Sequence, residues 1–294
     1  MKLFDRLVAE AVGNNRELAS LQVVVEKELL HHDILREMGA AGLLHGLTFI
    51  GGTCLRACYG SSRLSEDLDF TGGSDFSREQ LAGFGIILTK RLEAKYNLKT
   101  EVSEPVREKG NVATWKLKVI THPQHAGTPA QKIHIDICAI NSYQRQPMLL
   151  RNNYGVDMGT SGLIIQAQSR EEILADKVTA FGLRRNRLKN RDLWDIGWLR
   201  QQGVELPRQL MGQKAADHGR SGAELAELLE SRSRQLDSPE VREEFIYEMR
   251  RFLPPGTAKE TVEKPEFWIY LRNVIQEECS LAVQALGKQL PFIM

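Results

Sequence analysis

Two aspartates, Asp67 and Asp69, stand two residues apart in the stretch FIGGTCLRACYGSSRLSEDLDF, residues 49–70. On an extended strand, residues at that spacing point to the same side. Carboxylates so placed repel each other, and a divalent cation between them removes the repulsion. Magnesium takes oxygen ligands and commonly uses one or two carboxylates together with substrate phosphates. Upstream, Gly51-Gly52-Thr53 reads as a turn opening a short helix, with Gly52 fifteen residues before Asp67. Glycines let the backbone approach a ligand closely, and free N–H groups at a helix start favour an anion. Thr53 adds a hydroxyl donor, and Arg56 or Arg63 adds positive charge. The chemistry these residues point to is a phosphate group held against a divalent cation.

A third carboxylate, Asp136, lies on the polar face of KIHIDICAI. Three carboxylates on neighbouring strands can hold two metal ions, which stabilise the attacking and leaving oxygens of an in-line displacement. Further on, Lys177 in ADKVTAF sits on a helix beside a buried face and can reach phosphate oxygens as a point charge. Asp192 and Asp195 in RLKNRDLWDI share one helix face at i,i+3 spacing. Each feature alone has an ordinary reading. Glycine pairs make turns; paired aspartates are often solvated; Asp136 can be an edge-strand surface residue; Lys177 can be a solvent lysine; Asp192 and Asp195 can cap a helix or pair with nearby arginines. The ordered combination is far more specific than any part.

The elements that must position these groups follow from periodicity. Residues 5–45 read as helical, with Leu18, Leu21, Val24, Val25, Leu29, Ile34 and Leu35 near helical spacing. LTFIGG reads as a buried strand meeting a tight turn, TCLRACYG as a short helix, and LDFTGG as a second strand. SDFSREQLAGFGIILTKRLEAKYN reads as one amphipathic helix. LKTEVSEPV, NVATWKLKVI, QKIHIDICAI and GLIIQAQ are strand candidates, and THPQHAGTPA is a loop. In QKIHIDICAI the residues Ile133, Ile135, Ile137 and Ala139 face one way and His134, Asp136 and Cys138 the other. After Ser169, which forms a capping-box pattern with Glu172, the chain reads as helical to its end, with 253–267 as its longest loop. These readings give an α/β (α+β) fold: residues 1–165 a mixed sheet with N-terminal helices, residues 166–294 a mainly helical domain.

With 42% apolar residues the 294-residue chain can bury a sizeable core, and its net charge of +1 confines any nucleic-acid surface to a local patch. Such a patch is LRRNRLKNR, where Arg184, Arg185, Arg187, Lys189 and Arg191 cluster; its ordinary reading is a charged helix end. Trp194 and Trp198 nearby read as core at i,i+4. Four scattered cysteines suit a reducing cytoplasm, Cys54, Cys58 and Cys138 as small core residues rather than zinc ligands. His31 and His32 read as surface histidines. The charged N-terminus predicts no signal peptide, and no run of about eighteen apolar residues is present to span a membrane.

The combination resembles the nucleotidyltransferase superfamily typified by DNA polymerase beta. More narrowly, GGTCLRACYGSSRLSEDLDF resembles the AbiEii/MenT group of nucleotidyltransferase toxins, through Gly51, Gly52, Thr53 and Leu55, then Arg63, Ser65, Asp67, Asp69 and Phe70. LADKVTAF and RDLWDI are similar to that group's lysine and aspartate motifs, with Lys177, Asp192 and Asp195 at the matching positions. The resemblance covers roughly residues 48–200. It implies a polymerase-beta-like mixed sheet flanked by helices, and a transferase that moves NMP from an NTP and releases pyrophosphate. It implies catalytic roles for Asp67, Asp69, Asp136, Lys177, Asp192 and Asp195, with Mg2+ or Mn2+ on the first three. Gly51, Gly52, Thr53, Arg56, Arg63, Ser65 and Lys177 would bind the nucleotide. It also implies a tRNA 3′ end as acceptor and a separately encoded antitoxin of a toxin–antitoxin or abortive-infection pair. A protein or small-molecule acceptor, or nucleotide binding without turnover, are the other readings.

Overall fold

The computed structural model of the chain describes residues 2–105, 111–125, 127–185 and 187–287. Val106, Ala126, Asn186 and residues 288–294, read above within a strand, a loop, a basic cluster and a helix, lie outside the described residues. The chain divides into two compact units, Met1–Gln168 and Ser169–Met294.

The first unit begins with α1 (Leu3–Asn14) and α2 (Gln22–Ala40), joined by a 3-10 turn. The strands β1 (Thr48–Ile50), β2 (Leu68–Thr71), β3 (Thr100–Ser103), β4 (Val112–Val119), β5 (Gln131–Cys138), β6 (Arg145–Leu149) and β7 (Ile164–Gln168) form one mixed sheet. Its order is β3-β4-β5-β2-β1-β7-β6. Strict alternation decides which face is core. Leu68 and Phe70 on β2, Ile133, Ile135 and Ile137 on β5, and Ala113, Trp115, Leu117 and Val119 on β4 are all buried. The interleaved residues Asp69, Thr114, Lys116, His134 and Asp136 point to the other face, and their burial falls accordingly. Phe49 stacks on Phe70 at 5.1 Å inside the core.

In this unit the stretch after Gly73 and the strand β6 differ from the sequence reading. The amphipathic stretch after Gly73 is not one helix: a 3-10 turn, Arg78–Leu81, is followed by α4 (Phe84–Tyr96). Gly83 between them has φ +80°, a left-handed conformation that ends any continuous helix. The other is β6, unanticipated because Pro147 sits within it. As the last strand of the sheet it tolerates a residue that cannot donate a ladder hydrogen bond. The short helix after β1 is α3 (Gly51–Cys54), which continues as a π-turn over Leu55–Tyr59.

The second unit is helical: α5 (Arg170–Leu183), α6 (Asn190–Gln201), α7 (Met211–Asp217), α8 (Gly222–Gln235), α9 (Pro239–Met249), α10 (Pro255–Glu260) and α11 (Pro265–Gly287). The Ser169 hydroxyl accepts the Glu172 N–H at 3.1 Å and caps α5 as expected. The Glu172 carboxylate reaches the buried Lys214 ammonium at 2.6 Å. The loop expected over 253–267 instead holds α10 and the start of α11. Pro239, Pro255 and Pro265 each open a helix, the one place where a missing N–H loses no hydrogen bond. No helix among the described residues is long and apolar enough to cross a membrane.

Candidate active site

Strand register places the acids. Ile50, the last residue of β1, lies opposite Asp69 of β2 in antiparallel pairing. Asp69 in turn lies beside Asp136 of β5 in parallel pairing. The turn after β1, Asp69 and Asp136 therefore form a row across three strands. Gly51 has φ +75°, and a β-carbon on it would lie 2.8 Å from Asp69 Oδ2. Asp67, just before β2, uses Oδ1 to accept the His134 backbone N–H at 2.9 Å and stands 3.6 Å from His134 Nδ1. Asp136 Oδ1 is buried and has no hydrogen-bond partner among the described residues. Buried polar atoms are nearly always paired, and this oxygen has the capacity to take a proton or a cation. Among the described residues, no three His, Cys, Asp or Glu side chains are arranged as a ready-made metal site.

Thr53, Arg56, Arg63 and Ser65, expected at the nucleotide, make hydrogen bonds within and beneath the loop. Thr53 is buried; its Oγ1 lies 2.6 Å from Ser65 Oγ and donates to the Asp67 carbonyl. Arg63 is also buried, and its Nη1 donates to the Leu64 carbonyl at 3.0 Å. Arg56 donates from Nε to Glu28 Oε2 at 3.1 Å and from Nη1 to the Ser61 carbonyl at 3.0 Å. Glu28 also accepts the Ser65 backbone N–H at 2.7 Å and the Tyr154 hydroxyl. This buried glutamate of α2 thus anchors the segment that delivers Asp67 and Asp69. Sequence reasoning missed it, although the signal was present: Glu28 follows Val24 and Val25 at helical spacing, on the buried face.

His31 and His32, expected at the surface, are buried. Their ring nitrogens meet the Glu66 carbonyl at 3.0 Å and Thr160 Oγ1 at 2.8 Å. Burial pushes His31 down to about 4, against the weaker upward pull of Glu28 and Asp67. Its ring is therefore neutral at pH 7, and Nε2 donates to the carbonyl. Cys54 and Cys58 are buried and free, as expected of core residues; Cys138 is half-buried.

In the second unit, Lys177 Nζ lies 2.6 Å from Asp192 Oδ1 and 2.9 Å from Asp195 Oδ2. All three side chains are buried, and Arg184 adds a contact to Asp192 Oδ2 at 3.1 Å. Burial alone would raise the Asp192 carboxyl, but Lys177, Lys189 and Arg184 outweigh it and hold the group below the usual carboxylate range. The shared face read for Asp192 and Asp195 is present, and Lys177 is what they share. Within the basic cluster, Arg191 pairs with Glu248 at 3.5 Å, while Arg185 and Arg187 are exposed. Trp194 is buried as expected, but Trp198 is only half-buried.

The profile of a family described as nucleotidyl transferase AbiEii toxin, type IV TA system, matches residues 33–273. Among solved structures, the nucleotidyltransferase toxin MenT4 of Mycobacterium tuberculosis H37Rv aligns with a TM-score of 0.56 and 14% identity, over 98% of this chain and 95% of that one. JHP933 from Helicobacter pylori aligns with a TM-score of 0.45 and 16% identity, over 91% of this chain and 94% of that one. No curated protein matches the chain. The likeness to MenT4 is one of fold. The family match runs from α2 into α11 and so takes in far more than the GGT and DLD motifs. The chain belongs to the AbiEii family, the nucleotidyltransferase toxins of type IV toxin–antitoxin systems.

Proposed function

We propose that this nucleotidyltransferase moves NMP from an NTP to the 3′ end of tRNA, and that Asp67, Asp69 and Asp136 carry the reaction. One observation carries the reading: Asp69 and Asp136 are paired in register beside Gly51, and Asp136 Oδ1 has no partner.

The donor set fits a hard divalent cation, because it consists of carboxylate oxygens and one of them is buried and unsatisfied. Asp67, Asp69 and Asp136 would hold Mg2+ or Mn2+, with substrate phosphate oxygens completing a shell the protein does not close by itself. When bound, the ion supplies neutralisation of the triphosphate's charge. The protein's part is positioning. Gly51 and Gly52 present backbone N–H groups at the start of α3, and neither carries a side chain. Asp136 activates the acceptor hydroxyl, as a ligand of that ion or as the base that takes its proton. The acceptor oxygen bonds to the α-phosphorus, the bond from that phosphorus to the β-phosphate oxygen breaks, and pyrophosphate leaves. Thr53, Arg56, Arg63 and Ser65 hold the loop carrying Asp67. Lys177 binds Asp192 and Asp195 and so fixes α5 against α6, rather than serving as a free cation for the triphosphate. We place the chain in the cytoplasm, opposed by a separately encoded antitoxin.

The test is incubation with each α-labelled NTP, a magnesium salt and total bacterial RNA, followed by a denaturing gel, with Asp69→Asn as blank. Label in a tRNA-sized band that the blank lacks supports the reading. Label on protein moves the acceptor to a side chain, and label on a small molecule moves it there.

A further inference from the structure

On the face that carries the catalytic acids, β4 and β5 bring basic residues into opposition. Lys116 lies opposite His134, and Lys118 opposite Lys132, while the next pair along is Thr114 and Asp136. Lys118 and Lys132 are like charges directly opposite each other, which costs a sheet stability where it is not offset. Lys116, Lys132 and His134 are exposed. Lys118 is compensated by Glu101 at 3.1 Å, which Lys99 shares at 3.2 Å. Lys116 and Lys132 have no acidic partner among the described residues.

We propose that this stripe binds the phosphate backbone of the RNA acceptor just upstream of its reacting 3′ end. The inference rests on the transferase reading above. Same-face residues along a strand are about 6.6 Å apart, so Lys132 stands about 13 Å from Asp136, with Lys116 between them in level. A single strand lying along β5 meets positive charge up to the point where its terminal hydroxyl reaches Asp136. Charge complementarity selects the occupant. The stripe offers cations without apolar or aromatic anchors between them, which suits a phosphate chain and lacks what the centre of a protein interface needs.

The test measures the anisotropy of fluorescently labelled bulk bacterial tRNA, without NTP, across a KCl series. It compares wild type, Lys116→Gln/Lys132→Gln, and Lys90→Gln, which removes an exposed α4 lysine as a control. Far-UV spectra and urea midpoints establish that the variants fold. The double variant is expected to lose about tenfold or more in affinity at ~0.15 M salt, and its log–log salt slope to flatten by about 1.4, at ~0.7 per lost contact to a single strand. Affinity and slope equal to those of the control overturn the proposal. So does unchanged tRNA binding with loss of polyglutamate binding, which would make the stripe a surface for an acidic protein. Label transfer to RNA is read in parallel. Wild type that binds tRNA through the stripe but labels no RNA supports the surface and overturns the acceptor reading. Equal labelling at limiting tRNA with and without the two lysines overturns the stripe and leaves the acceptor reading standing.

Discussion

Gly51 and Asp69 are in such close apposition that a β-carbon on the glycine would lie 2.8 Å from the aspartate's Oδ2. The contact couples the proposed phosphate-binding turn to the proposed catalytic carboxylate. Gly51→Ala meets two penalties at once. Its φ of +75° costs an L-residue about 1–2 kcal/mol, and the methyl group must displace the carboxylate. A displacement of even about 1 Å can lower a rate by about 10²-fold. The expected result is a modest drop in urea midpoint with a rate loss of that order. Wild-type turnover in the alanine variant would show that Asp69's position does not matter.

Asp136→Asn separates chemistry from stability. The carboxylate lies beside Asp69 and leaves Oδ1 buried without a partner, so folding gains nothing from its charge. The amide is expected to leave stability unchanged or raise it by about 1 kcal/mol, the scale of one unsatisfied buried group. NMP transfer should fall by on the order of 10²–10³-fold, the scale of removing one group that acts in the transition state. Chemical denaturation and labelled-NTP turnover on the same preparation check both. A destabilised variant with intact turnover would make Asp136 a structural residue.

The side taken by Asp69 and Asp136 was legible in the sequence because strand alternation is strict: a period of two fixes it once the buried Leu68, Phe70, Ile135 and Ile137 are recognised. Their support was not legible, because Glu28 and Tyr154 are 126 residues apart and meet only through the fold. The inward hydrogen bonds of Thr53 and Arg63 were not legible for a related reason. Sequence spacing shows that a polar residue is near a site, but not whether its hydrogen bonds point outward or inward. His31 and His32 lie in a helix whose charged residues are themselves partly buried, so polarity gave the wrong face.

Lys177 tests whether a motif lysine acts on substrate or on structure. Lys177→Met leaves Asp192 and Asp195 buried without the ammonium they share, although Arg184 and Lys189 stay beside Asp192, and breaking such a pair costs about 3–5 kcal/mol. The carboxyl of Asp192, held below its usual range, contributes stability that is present above its unfolded pKa and lost as pH falls. The methionine variant should lose much of that contribution, so its stability should depend less on acid. Combining Lys177→Met with Asp192→Asn and Asp195→Asn removes the charges together and should recover most of the fold. If that triple variant is folded and its KM for NTP has risen more than about tenfold, Lys177 binds phosphate as well, and the purely structural assignment is wrong.

His31 makes stability depend on pH near neutrality. Its folded value of about 4 lies below the ordinary 6.5 because burial disfavours the charged ring. The unfolded chain therefore binds a proton between those values that the folded chain does not. Stability is fully present above about pH 6.5 and falls as pH drops toward 4, by about 3 kcal/mol at ~1.36 kcal/mol per unit. His32 is shifted the same way by its own burial and adds to the slope. His31→Gln keeps an N–H for the Glu66 carbonyl but cannot titrate. Urea midpoints of both proteins between pH 4.5 and 7.5 should converge at the acid end and separate at the neutral end, if the histidine's shape is otherwise favourable. Parallel curves would mean that the ring is not excluded from water, and that α2 opens enough at low pH to admit the charge.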